Sequence, residues 1–158
     1  MPNQFRKTFL ITNDLGPRAG GIESFVLGLL ERVEPNSVVI LTSSQAKSKE
    51  FDQQLFEKYG AIVIRDRSKI LLPTPRITRK AVQIMGQYQV STIWFGAAAP
   101  LALMAKRLRR AGAKNIVALT HGHEVWWAKI PLFRSAIAKI SKKVEGCRDD
   151  YSTIKAIH

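Results

Sequence analysis

Two short segments of the sequence bring together residue types that can act on a ligand. The first, residues 13–21, reads Asn-Asp-Leu-Gly-Pro-Arg-Ala-Gly-Gly. Two adjacent glycines, Gly20 and Gly21, stand immediately before an apolar-periodic run. They let the backbone approach a ligand closely, and a helix starting there presents unpaired N–H groups and a partial positive charge. That chemistry suits a phosphate or sugar phosphate, with Arg18 nearby. The spacing matches neither G-x-x-x-x-G-K nor G-x-G-x-x-G, and a tight turn that needs positive φ also accounts for a Gly-Gly pair.

The second segment is Thr120-His121-Gly122-His123-Glu124. Two imidazoles and a carboxylate suggest a metal site, but the remaining histidine is His158, so a third ligand would have to be a carboxylate and no metal is expected. No G-x-S-x-G elbow occurs, which argues against a serine hydrolase. Hydrogen bonding by His121 to a sugar or phosphate fits better. The alternative is a histidine that caps the following helix or packs under Trp126 and Trp127.

These segments need elements to position them, and the hydrophobic pattern supplies an alternation of strands and helices. Strands are predicted at residues 8–12, 37–42, 61–65, 92–95 and 115–120, each a short β-branched or aromatic run. Between them, Ile22, Phe25, Val26, Leu29, Leu30 and Val33 recur at helical spacing, and residues 47–59 form a weaker helix closed by Gly60. Further helices are predicted at residues 76–88, after the Pro73-Thr74-Pro75 break, and at 98–111, before Gly112. Phe133, Ile137, Ile140 and Val144 mark another helical face. Such alternation with short connections predicts an α/β fold with a doubly wound parallel sheet. In that architecture ligands bind beyond the carboxyl ends of the strands, where both segments fall.

At 158 residues with 46% hydrophobic content the chain can bury a core without a disulfide or metal staple. Cys147 is the lone cysteine, which suits a reducing compartment. The longest nearly apolar stretch, residues 93–105, contains Gly96 and Pro100 and is shorter than the ~20 residues of a spanning helix. No secretory apolar region follows Arg6 and Lys7, so the expected address is cytoplasmic.

Charge is the most unusual bulk property, at +13. Residues 1–60 are balanced, and the whole excess lies beyond them in three clusters. The first contains Arg65, Arg67, Lys69, Arg76, Arg79 and Lys80; the second Lys106, Arg107, Arg109, Arg110 and Lys114; the third Lys139, Lys142, Lys143 and Arg148. A one-sided basic surface implies an anionic partner, whether nucleic acid, an acidic membrane or a phosphorylated small molecule. Solvated helix faces that confer solubility are the plainer explanation.

Residues 13–23, placed between a strand and a helix, and Leu-Thr-His-Gly-His-Glu-Val at 119–125 together resemble the amino-terminal half of the family-four retaining glycosyltransferases of GT-B fold. Within that family the sequence is most similar to the actinobacterial phosphatidylinositol mannoside mannosyltransferases, which use GDP-mannose. The resemblance runs over residues 6–143. It implies a Rossmann-like domain in which Gly20 and Gly21, with Arg18 nearby, lie against the donor diphosphate and sugar, and His121 contacts the donor sugar near the reaction centre. It further implies transfer with retention, no bound metal or other cofactor, a glycolipid or other sugar acceptor, and a peripheral position on the inner face of an anionic membrane. Arg76, Arg79 and Lys80 match the acceptor-side or membrane-facing basic surface.

Two departures stand out: Leu15-Gly16-Pro17 replaces the usual Phe-Pro-Pro, and residues 144–150 are polar where an apolar sixth strand is expected. The resemblance makes residues 1–158 the acceptor-side domain, incomplete after about residue 143. It places nucleotide binding in a carboxyl-terminal donor domain outside this sequence, which would have to act in trans if the chain alone is to be active. The competing reading is a non-catalytic basic α/β module that binds acidic lipid or nucleic acid. No recognised nucleic-acid motif supports the latter partner.

Overall fold

The run Thr-Phe-Leu-Ile forms β1 (Thr8–Ile11), buried at every residue. The structure, a computed structural model, describes residues 6–17, 21–97 and 100–118. After β1 come α1 (Gly21–Leu30), β2 (Val38–Thr42), α2 (Ser48–Tyr59), β3 (Ile62–Arg65) and α3 (Pro75–Tyr88). They are followed by β4 (Thr92–Phe95), a 3-10 turn (Leu101–Met104), α4 (Ala105–Arg110) and β5 (Asn115–Ala118). The five strands are parallel, in the order β3-β2-β1-β4-β5. This is the doubly wound, Rossmann-like sheet that the alternation predicts, and its strand order reverses between β1 and β4.

Strand alternation divides the core between two faces. Leu10 and Ile40 pack with Val26 and Leu30 of α1 and Leu55 of α2. Phe9 pairs in register with Val39 and Ile93, and all three are fully buried on the opposite face. Right-handed crossovers put α1 and α2 over the first face and α3 and α4 over the second, where these two helices touch each other. No helix among the described residues is long and apolar enough to cross a membrane.

Local chemistry sets the boundaries. Thr74 caps α3 by accepting from the Ile77 N–H at 3.3 Å, and Pro75 opens the helix where its missing N–H costs nothing. Two predicted helices are shorter than the periodicity suggests. The first ends at Leu30, because the Arg32 N–H turns back to the Leu29 carbonyl at 3.0 Å ahead of Pro35. The predicted helix at 98–111 begins instead as the 3-10 turn, with the Leu103 N–H on the Pro100 carbonyl at 3.2 Å, and becomes α-helical only at Ala105. The end of the fifth strand after Ala118, the helical face of 133–144 and the polar residues 144–150 lie outside the described residues.

Gly60 closes α2 with φ +62°, donating to the Phe56 carbonyl at 2.8 Å. A Cβ there would sit 2.6 Å from Cγ and 2.9 Å from the backbone N of Asn36. Gly60→Ala is therefore expected to cost about 1–2 kcal/mol from the left-handed backbone, with Asn36 forced to move. Chemical denaturation should show the loss as a lower midpoint with an unchanged slope.

Candidate functional site

The reversal of strand order opens a crevice at the carboxyl ends of β1 and β4, the place where an open α/β sheet receives its ligand. The two exits run close together. The Gly96 N–H donates to the Ile11 carbonyl at 2.9 Å, and a Cβ on Gly96 would lie 2.5 Å from Thr12 Oγ1 and 2.6 Å from Thr12 Cβ. Thr12 is fully buried, and its hydroxyl accepts from the Asp14 N–H at 3.0 Å, which turns the chain into the loop that leads to α1.

That loop is pinned by side chains rather than by a ladder. The Asn13 amide clasps the backbone of Leu71, accepting its N–H at 2.6 Å and donating to its carbonyl at 3.1 Å. Arg65, at the end of β3, joins three further segments. Its Nε and Nη2 meet both carboxylate oxygens of Asp52 at 2.8 and 2.7 Å, Nη1 donates to the Ser43 carbonyl at 3.1 Å, and Nη2 also reaches the Gly16 carbonyl at 2.7 Å. A planar guanidinium can hold a carboxylate and backbone carbonyls together in this way, which a lysine cannot.

The next residue, Asp66, is 2% exposed and holds the loop between β3 and α3. Its carboxylate accepts from Arg76 Nη1 at 2.9 Å and Nη2 at 2.7 Å, from Lys80 Nζ at 3.1 Å and from the Ser68 N–H at 2.9 Å. Arg76 above all, then the Ser68 N–H and hydroxyl and Lys80, outweigh desolvation and hold the carboxyl well below the ordinary carboxylate range. The same contact with Asp66 raises Arg76.

The residues predicted from sequence fare differently. Gly21 is the first residue of α1, so its backbone stands at that helix's amino terminus. Arg18, Gly20 and His121 lie outside the described residues. Arg76 and Lys80 are brought together on one carboxylate, whereas Arg79 is exposed. Sequence reading passed over Arg65 and Asp66 as site residues and did not pair Thr12 with Gly96. For Asp66 a signal existed, because it is the only carboxylate between Glu57 and Glu124, in the midst of a basic cluster. Nothing local marks the other contacts.

The fold is thus that of a Rossmann-like α/β domain in which the β1–α1 and β3–α3 loops stand at the carboxyl edge of the sheet. No protein-family model matches the chain. Among curated proteins, it is 39% identical over 142 residues to the GDP-mannose-dependent monoacylated alpha-(1-6)-phosphatidylinositol monomannoside mannosyltransferase of Corynebacterium glutamicum, covering 89% of this chain and 36% of that protein. It is 37% identical over 137 residues to the GDP-mannose-dependent alpha-(1-6)-phosphatidylinositol monomannoside mannosyltransferase of Mycolicibacterium smegmatis, covering 86% of this chain and 36% of that one. It is also 37% identical over 136 residues to the enzyme of the same description in Mycobacterium tuberculosis, covering 85% of this chain and 35% of that one. These are the mannosyltransferases that the Asn13 and His121 segments resemble. The chain spans about a third of the length of the curated relatives it matches.

Proposed function

We propose that this chain is the acceptor-side, amino-terminal domain of a retaining GT-B mannosyltransferase that moves mannose from GDP-mannose to a phosphatidylinositol mannoside or a related glycolipid. The observation that carries the reading is the 39% identity to such an enzyme along 89% of the chain. The relatives' greater length leaves room for the carboxyl-terminal domain in which the resemblance places nucleotide binding.

In this reading the Gly20 and Gly21 backbone at the start of α1 faces the departing diphosphate. N–H groups aimed there stabilise charge as it develops on the leaving oxygen, and Arg18 adds a cation. His121, just past β5, contacts the donor sugar as its anomeric carbon gains oxocarbenium character. Asn13, Arg65 and Asp66 hold the β1–α1 and β3–α3 loops in place around it.

The acceptor arrives from an anionic bilayer on the cytoplasmic side, with the enzyme bound peripherally. The β3–α3 loop supports this, because Ile70 and Leu72 are 62% and 50% exposed while Leu71 between them is buried. Two exposed apolar side chains in a loop that also carries the exposed Arg67 and Lys69 suit the interface between lipid headgroups and acyl chains. Since Arg76 and Lys80 share Asp66, Arg79 is the cation of this trio with most freedom to meet a lipid phosphate.

The test is transfer of labelled mannose from GDP-mannose into extractable lipid by the full-length protein carrying this sequence, with its His121→Ala form as the matched control. Incorporation that needs both GDP-mannose and a phosphatidylinositol mannoside is expected. Failure to incorporate with those substrates, or equal incorporation by the His121→Ala form, would count against the assignment.

A further inference from the structure

Among the described residues β3 has a neighbouring strand, β2, on one side only. Every residue of β1 and β2 is buried, whereas every residue of β3 is partly exposed. Proteins guard such an edge with an outward lysine, a proline, a bulge or a shortened strand. None of these protects β3, which reads Ile-Val-Ile-Arg, pairs with β2 in unbroken register and is as long as β1 and β4. Its single charge, Arg65, is turned into the molecule by Asp52 and the Ser43 and Gly16 carbonyls.

The ladder decides which backbone groups this edge presents. The Asp66 N–H donates to the Thr42 carbonyl at 2.8 Å. Alternate residues of a parallel strand turn both backbone groups to one neighbour, so Ile62 and Ile64 bond to β2 while Ala61, Val63 and Arg65 face outward. The Ala61 N–H is already taken by the Leu55 carbonyl at 3.4 Å, and the Arg65 carbonyl accepts from Lys80 Nζ at 3.4 Å. What remains is the Ala61 carbonyl, both groups of Val63 and the Arg65 N–H. That set is its own complement when an identical strand is laid beside it in the opposite direction.

We propose that β3 is a homodimer interface, at which two copies of this chain join their sheets edge to edge about a two-fold axis through Val63. The Val63 N–H of each copy donates to the Val63 carbonyl of the other, and each Arg65 N–H donates to the opposite Ala61 carbonyl. Such an isologous contact closes at two copies and leaves no further edge of this kind. Val63 packs against the α1–α2 core, so on that face it meets its own counterpart across the axis. Phe56 of α2, 52% exposed beside the groove lined by Ala61, Ile62 and Val63, covers the added strand. On the other face Ile62 of one copy lies opposite Ile64 of the second. Reversal of the second α2 also brings its exposed Glu57 towards the exposed Lys49 of the first. The axis stands perpendicular to the sheet, so the two carboxyl edges point in opposite directions and one bilayer meets one of them.

Light scattering of this chain over a concentration series should show a monomer–dimer equilibrium. Val63→Pro removes an outward N–H, at a position where an edge strand accepts proline, so the monomer should keep its circular dichroism. The dimer loses one hydrogen bond from each copy, and its dissociation constant should rise about 30-fold. Val63→Ala keeps both backbone groups and should dimerise more tightly than the proline form. Register is read separately, without relying on the fold of the proline variant. In a Cys147→Ser background, Ile62→Cys and Ile64→Cys chains should form a disulfide-linked dimer when mixed and oxidised. Neither should do so alone, because like residues are offset along the strands beyond disulfide reach. A wild-type chain that stays monomeric at millimolar concentration, undiminished dimerisation of folded Val63→Pro, absence of crosslinking in the mixture, or equal crosslinking by either variant alone would overturn the assignment.

Discussion

Asp66→Ala should lower stability at neutral pH by about 3 kcal/mol, which for a chain of this size is a fall of roughly 5–10 °C in melting temperature. Asp66 is 2% exposed, while its partners Arg76 and Lys80 are 44% and 30% exposed. Water can therefore take up the freed cations, which keeps the cost at the lower end for a broken buried pair. What is lost is the anchor of the β3–α3 loop, including the Ser68 N–H bond.

Acid offers a sharper check on the same residue. The folded-state pKa of Asp66 is depressed, so its contribution is fully present above the unfolded value of about 3.9 and fades as pH falls towards the folded value. Below about pH 4 the unfolded chain takes up a proton that the native Asp66 refuses, at a slope of up to ~1.4 kcal/mol per pH unit from this group. Asp66→Asn lacks that slope. Its deficit relative to the wild type should be constant from neutral pH to about 5 and shrink as the solution is acidified further. Urea unfolding along a pH series measures both curves, and a deficit independent of pH would show that the carboxylate charge is not what holds the loop.

Gly96→Val is expected to cost about 3 kcal/mol, the upper end for overpacking a close-packed position. The Cβ alone would lie 2.5 Å from Thr12 Oγ1 and 2.6 Å from Thr12 Cβ, and Thr12 is fully buried at the end of a central strand. No rotamer change relieves an overlap with a Cβ, so the exits of β1 and β4 must separate where the strand order reverses. Thr12→Gly removes the obstructing atoms. The double variant should be less destabilised than the sum of the two single ones by more than about 1 kcal/mol, as expected of residues in direct contact. Additive losses would show that the two strand exits are not in contact through these side chains.

Much of the fold is legible in the residues alone. The apolar run at β1, the 3.6-residue spacing of Val26, Leu29 and Leu30, the Thr74-Pro75 helix start and the Gly60 stop are local signals, each acting within one or two turns of chain. The segment Asn13 to Glu23 already marked the edge where the crevice forms. Sequence periodicity misjudged the helix after β4, because the absent N–H of Pro100 and the 3-10 turn over Leu101–Met104 are matters of hydrogen bonding and not of apolar spacing.

The amino-acid pattern thus settles which stretches are strands and helices and that the excess charge is one-sided, since propensity, amphipathic period and net charge are properties of neighbouring residues. Strand order, the pairing of Thr12 with Gly96, the reach of Arg65 to Gly16 and the sharing of Asp66 by Arg76 and Lys80 emerge on folding. Each of these depends on which strands lie side by side and on which face a crossover packs. Such contacts close loops of tens of residues, and the free energy that selects among them comes from burying the whole sheet rather than from any local run of side chains.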